Sequence, residues 1–224
     1  MELENNSTEE SKLDAKSHNF HSLFSSPDGD VIITGKDAQL FFSVHSVVLK
    51  TASGFFRTMF SLPQKASDSQ PTPIYLDEDA DTIECFLRMI CGLPLVSVNT
   101  WDFVDSLLDA IEKYDMPGPL SIVRLLVMTP QLLNSPFRLY AVARRFGWEA
   151  EAKYASTQTL TYHLFDPQLR SHLRRMSTPA LIDLLDLHHT RREGYAIYLA
   201  ILTTATYCLD SANASIYLLL SAEA

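Results

Sequence analysis

Apolar residues change their spacing along the chain, and each change predicts an element. Val31-Ile32-Ile33-Thr34, behind Asp30, is a short β-branched run, and Leu40-Phe41-Phe42-Ser43-Val44 is a second. Gly35-Lys36-Asp37 between them supplies turn residues, so the two runs predict a hairpin. From Ser46 to Phe60 the spacing becomes helical, with Val48, Leu49, Phe55, Phe56, Met59 and Phe60 apolar. Pro63 to Pro73 is polar and predicts a loop, and Ile74-Tyr75-Leu76 predicts a third strand. Asp81 and Glu84 stand at the capping-box offset, just before Ile83, Phe86, Leu87 and Ile90 at i, i+3, i+4 and i+7. Gly92 supplies the stop. Thr100 predicts the cap of a further helix that carries Trp101, Val104, Leu108 and Ile111 on one side, and residues 114–118 end it.

Beyond residue 118 the pattern is helical throughout. Thr129-Pro130, Ser135-Pro136, Asp166-Pro167 and Thr178-Pro179 each pair a capping side chain with proline in the first turn, where its missing N–H costs nothing. A few strands among helices, then helices alone, predict an α+β domain with an all-α extension. Residues 1–20 are polar and without period, and the expectation is a disordered tail over residues 1–25. The domains expected after it are residues 28–117 and a helical extension over residues 118–224, packed on the first domain through a short link at residues 116–120.

Composition narrows the function. The 224 residues are 46% hydrophobic, enough for a core, and the net charge is −9. Residues 1–117 hold 8 Lys/Arg and 19 Asp/Glu, whereas residues 118–224 hold 10 and 8. The acidic first half repels phosphate and argues against nucleic acid there. Cys85, Cys91 and Cys208 are odd in number and form no C-x-x-C, which predicts reduced thiols and an intracellular protein of the cytoplasm or nucleus. The polar first residues do not read as a signal peptide. Tyr195–Leu209 is uncharged but shorter than the ~20 residues of a membrane span. It reads as a buried helix, and no membrane partner is expected.

Several motifs stand in register with the BTB/POZ family. Asp30-Val31-Ile32-Ile33 resembles the first-strand motif. Phe42-Ser43-Val44-His45 with Val48-Leu49, and Ser53-Gly54-Phe55-Phe56-Arg57-Thr58-Met59-Phe60, resemble the two helix motifs that follow. Ile74–Ile90 and Leu107–Tyr114 complete the pattern. Residues 136–155 and 184–192 resemble the helical region that follows the BTB domain in a group of fungal proteins, and residues 193–224 match no known pattern. The resemblance implies a BTB/POZ fold with a short three-stranded sheet, and a role as scaffold or adapter in protein–protein interaction. The implied partners are other proteins, through self-association and, in some branches, as an adapter to cullin-type ubiquitin ligases. No clear cullin-contact motif follows Gly92, so a partner other than a cullin is expected.

Candidate interaction positions are Asp30, His45, Ser46 and Lys50. In strongly dimeric relatives the first-strand Asp meets a basic residue directly after the His, but here that residue is Ser46. Lys50, one turn on, is the candidate substitute, and without a cation a monomer or weak homodimer is expected. His45 is expected to be structural, its ring bonded to nearby backbone. His188-His189 lacks the i, i+4 pairing of zinc helices, and neighbours on a helix point ~100° apart. No catalytic residue, metal or cofactor is assigned. G-x-S-x-G, G-x-x-x-x-G-K-[ST] and G-x-G-x-x-G are all absent, and the seven glycines are scattered. Arg170, Arg174, Arg175, Arg191 and Arg192 concentrate positive charge without aromatics interleaved, which reads as a solvated face. The leading expectation is a non-enzymatic interaction module. The alternative is a regulatory or catalytic helical domain in residues 118–224, which a pocket with converging polar groups would favour.

Overall fold

In the computed structural model of the chain, residues 19–63 and 72–222 are described, with side chains through Leu202. They fall into two compact units that meet at Leu132–Leu133. The first holds one sheet of four strands: β1 (Phe20–Ser25), β2 (Val31–Thr34), β3 (Phe41–Val44) and β4 (Ile74–Tyr75), in the order β1-β3-β2-β4. The hairpin forms as its turn residues dictate, antiparallel with Val31 opposite Val44 and Ile33 opposite Phe42. β1 and β4 flank it, each parallel to its neighbour.

β1 corrects the expectation of a tail running to residue 25 and of a three-stranded sheet. Residues 1–18, and residues 64–71 of the expected loop, lie outside the described residues. The strand escapes the sequence pattern because its register shifts between Phe20 and Ser25. Side chains of a regular strand alternate, but here the inner positions, His21 and Phe24, are three apart. Phe24 is buried, His21 stacks on Phe42, and Phe20 and Leu23 are exposed.

The helical run from Ser46 is two helices, α1 (Ser46–Ala52) and α2 (Gly54–Ser61), because Ser53 is extended and caps α2 by accepting from the Phe56 N–H at 3.1 Å. In α3 (Ala80–Cys91) the cap lies two residues earlier than expected, at Asp79. Asp81 sits inside the first turn, while Glu84 is bound by Arg88 at 2.6 Å and by His21 at 3.3 Å. Gly92 ends α3 in the left-handed region (φ 66°), and the Leu93 N–H donates to the Arg88 carbonyl at 2.9 Å, a closure that suits glycine. Thr100 caps α4 (Trp101–Lys113) as its sequence indicates. Residues 114–118 end α4 and also start α5 (Pro117–Leu126), with proline in its first turn. α5 packs against α3 and α4, so the first unit continues past residue 117. Its core includes Ile33, Phe42, Leu49, Phe56, Phe86, Leu108 and Ile111, all essentially inaccessible, while Phe60 and Ile90 are half-buried.

α6 (Pro130–Leu133) leads to the second unit: α7 (Pro136–Arg145), α8 (Glu149–Thr159), α9 (Arg170–Leu173) and α10 (Thr178–Ala222). α7 and α8 pack closely, joined at Gly147 (φ 68°). Phe137, Leu139, Tyr140, Trp148, Ala155 and Leu184 are buried there. The Tyr140 hydroxyl donates to the Ala180 carbonyl at 3.1 Å, and Arg144 pairs with Asp183, which fixes the first turns of α10. Ser177, one residue before the expected Thr178, caps α10 by accepting from the Ala180 N–H at 3.4 Å. The expectation of a buried helix at Tyr195–Leu209 fails over Tyr195–Leu202, where every residue is exposed.

Candidate interaction surfaces

Asp30 precedes β2 and reaches the start of α1. Its two carboxylate oxygens accept from the Ser46 N–H and the Ser46 hydroxyl, each at 2.6 Å. The Asp30 side chain thus caps α1 from outside the helix, since His45, at the cap position, gives no side-chain bond. Burial pushes the Asp30 carboxyl up. The two bonds from Ser46, the N–H of Asp30 itself and the charge of His45 outweigh that and hold it below its ordinary 3.8. A serine does here, within one chain, what a cation was expected to do.

The other two positions make no hydrogen bond in this clasp. Lys50 does not substitute: its ammonium sits over the Phe60 ring, 5.4 Å from the centroid. His45 is exposed, and its imidazole makes no hydrogen bond among the described residues. The expected ring-to-backbone bonds are replaced by the His45 carbonyl, which accepts from Val48 and Leu49. Val47, beside Ser46, is 65% exposed, an apolar side chain on the open face of α1.

Tyr114, the last residue of the Leu107–Tyr114 segment, organises the first unit. Its ring lies 5.3–6.0 Å from those of Phe55, Phe56 and Phe86, and its hydroxyl donates to Glu78. Burial, then that bond, pushes the phenol up. Lys113 donates to Asp77 and Glu78, both at 2.9 Å, which raises its ammonium against the opposing effect of burial. The Tyr114 and Asp115 carbonyls accept from the Ser53 hydroxyl at 2.5 Å and the Gly54 N–H at 2.9 Å. A Cβ at Gly54 would stand 1.9 Å from an Asp115 carboxylate oxygen, so the approach suits glycine.

In the second unit, residues 160–165 and α10 enclose a groove of about 790 Å³. Leu160, Tyr162, Leu164, Phe165, Leu185 and Tyr195 give it apolar walls, and Asp186, His188, His189, Arg191 and Arg192 reach it. The aromatics missing around Arg191 and Arg192 in sequence are therefore brought beside them by the fold. His188 lies 3.1 Å from the Thr159 hydroxyl, and burial lowers its pKa. His189 pairs with Glu193 at 3.1 Å. Among the described residues no group of three His, Cys, Asp or Glu could hold a metal ion, and no helix is long and apolar enough to cross a membrane. Cys85 is inaccessible and burial raises its thiol to about 11, far from a reactive thiolate.

The clasp makes a prediction. A carboxyl held lower in the folded than in the unfolded chain stabilises the fold above its unfolded value, and loses that contribution as pH falls through 3.8 and below. Asp30→Ala should cost about 1 kcal/mol at pH 7, the usual worth of a helix N-terminal cap. The difference from the unsubstituted chain should narrow in urea unfolding at pH 3. Equal stabilities at pH 7, or a gap that widens in acid, would contradict the clasp.

Comparison with known families agrees with this construction. Residues 20–126 match the BTB/POZ domain, a span that includes β1 and all of α5. No curated protein matches the chain. The four-stranded sheet and the helices around it over residues 20–126 thus have the fold of the BTB/POZ family, a protein–protein interaction module.

Proposed function

We propose that the chain is a non-catalytic adapter in which the BTB/POZ unit binds one protein and the α7–α10 unit presents a second surface. The observation that carries this reading is the BTB/POZ match over residues 20–126. It is supported by how the candidate chemical groups are occupied: Asp30 caps a helix, Cys85 is buried, His188 meets Thr159 and His189 meets Glu193. The likeness of residues 136–192 to the helical region of fungal BTB proteins belongs to the same proposal. The groove beside α10 gives the alternative, a regulatory or catalytic second unit, its one favourable observation. Its apolar walls and its histidines, each engaged by a neighbour, suit binding better than general acid–base work, which needs an oriented base beside a nucleophile.

A tagged full chain should retain protein partners in affinity purification read by mass spectrometry. Residues 1–132 alone should keep a subset of them, with proteins other than cullins predominating. Partners that remain only with residues 133–224 would move the function to the second unit, and turnover of a small molecule by the purified chain would favour the alternative.

We also propose that the BTB/POZ face does not dimerise tightly, because Asp30 is satisfied within its own chain. Val47→Glu, on the exposed face of α1, should leave the sedimentation behaviour of the full chain unchanged. Dissociation of a dimer by that substitution would refute the proposal.

A further inference from the structure

Of the five arginines that concentrate positive charge in the sequence, three lie in the strap that joins the two walls of the groove. The strap is residues 166–177, running from Asp166 through α9 to the start of α10. Over residues 170–177 it holds Arg170, Arg174 and Arg175 and no acidic side chain. It ends in Arg174-Arg175-Met176-Ser177, with Arg174, Arg175 and Ser177 exposed and Met176 half-buried. A hydroxyl two and three residues after a pair of guanidinium groups is the pattern that a basophilic protein kinase reads. Carboxylates of such a kinase bind the two arginines and so set the serine before the γ-phosphate of ATP.

The fold presents this serine to a kinase. Ser177 lies outside α10, in the turn that follows α9. α9 has 4 residues, far fewer than the roughly 12 that a helix needs to persist by itself. The strap can therefore open into the extended form that a kinase cleft takes, while its surroundings stay packed. Behind Ser177 the chain is anchored: Ala180 is buried, its carbonyl accepts from the Tyr140 hydroxyl, and Asp183 pairs with Arg144. Thr178-Pro179 offers a second hydroxyl, but Thr178 already belongs to the first turn of α10, which makes Ser177 the better acceptor.

We infer that Ser177 is a phosphorylation site for a basophilic serine/threonine kinase, and that its phosphate ties the strap to the start of α10. In the transfer the Ser177 hydroxyl oxygen bonds to the γ-phosphorus of ATP, the bond from that phosphorus to the bridging oxygen breaks, and ADP leaves. The hydroxyl proton passes to the catalytic carboxylate of the kinase. The unmodified Ser177 oxygen accepts from the Ala180 N–H at 3.4 Å, a long bond. A phosphate adds about two negative charges and three strong acceptors there, next to Arg174 and Arg175 and at a helix end that favours anions. The net charge of residues 170–177 falls from three positive charges to about one. This goes beyond the adapter reading and does not depend on it: it gives the second unit a covalent switch.

The test uses the full chain with the catalytic subunit of cyclic-AMP-dependent protein kinase and magnesium ATP, read by peptide mass spectrometry. Phosphate should appear on Ser177, and Ser177→Ala should remove that signal. Arg174→Ala together with Arg175→Ala should slow incorporation by about tenfold or more, whereas Thr178→Ala should leave the rate within about twofold. Hydrogen exchange at residues 178–182 should slow by about fivefold in the phosphorylated chain. Absence of phosphate at Ser177, a rate indifferent to the two arginines, or incorporation only after the chain is heat-unfolded would overturn the site. Phosphate on Thr178 in its place would do the same. Exchange that is unchanged or faster in the phosphorylated chain would overturn the tie to α10.

Discussion

The fold of the first unit depends on one joint, the meeting of Tyr114 with the start of α2. Three kinds of interaction converge there. The ring fills the space between Phe55, Phe56 and Phe86, which ties α2 to α3. The hydroxyl holds Glu78, just before α3, and Glu78 in turn holds Lys113 at the end of α4. The backbone at residues 114–115 accepts the bonds from Ser53 and Gly54 that secure the first turn of α2. Aromatic contacts of this type contribute about 0.5–1.5 kcal/mol each beyond the area they bury. Several on one ring make Tyr114 worth more than its neighbours along α4. The Asp30–Ser46 clasp is smaller in scale but similar in kind: it fixes α1 against the hairpin, and the self-associating charge pair expected of the family is not needed to satisfy Asp30.

Regular periodicity made most of the first unit legible. The hairpin, the Thr100 cap, the Gly92 stop and the proline-led starts of α6 and α7 are local devices, and local devices can be read from neighbouring residues. What escaped depends on distance in the chain. The register shift in β1 spoils the alternation that marks a strand, so His21 and Phe24 read as tail. Ser53 breaks a helix whose apolar spacing runs through it, because its hydroxyl has a partner at Tyr114, far along the sequence. Asp81 looked like a cap because of Glu84, but Glu84 belongs to Arg88 and His21. Asp30 and Ser46 were legible as a pair of positions, whereas their direct bond and the diversion of Lys50 to Phe60 were not. The groove was not legible at all, since it joins residues 160–165 to α10 across the intervening residues 166–184.

The two units offer surfaces of different kinds. The BTB/POZ unit exposes the open face of α1, with Val47 beside a satisfied acid. The second unit exposes apolar side chains along α10, Tyr195, Tyr198 and Leu202 among them.

The dependence of the first unit on Tyr114 can be measured directly by urea unfolding of the full chain carrying Tyr114→Ala. The account predicts a loss of about 3–5 kcal/mol in the transition of the first unit, the range for removing a large aromatic from a core, with Tyr114→Phe losing about 1 kcal/mol for the hydroxyl bond alone. A Tyr114→Ala chain that unfolds within about 1 kcal/mol of the original would contradict the claim that this joint holds the unit together.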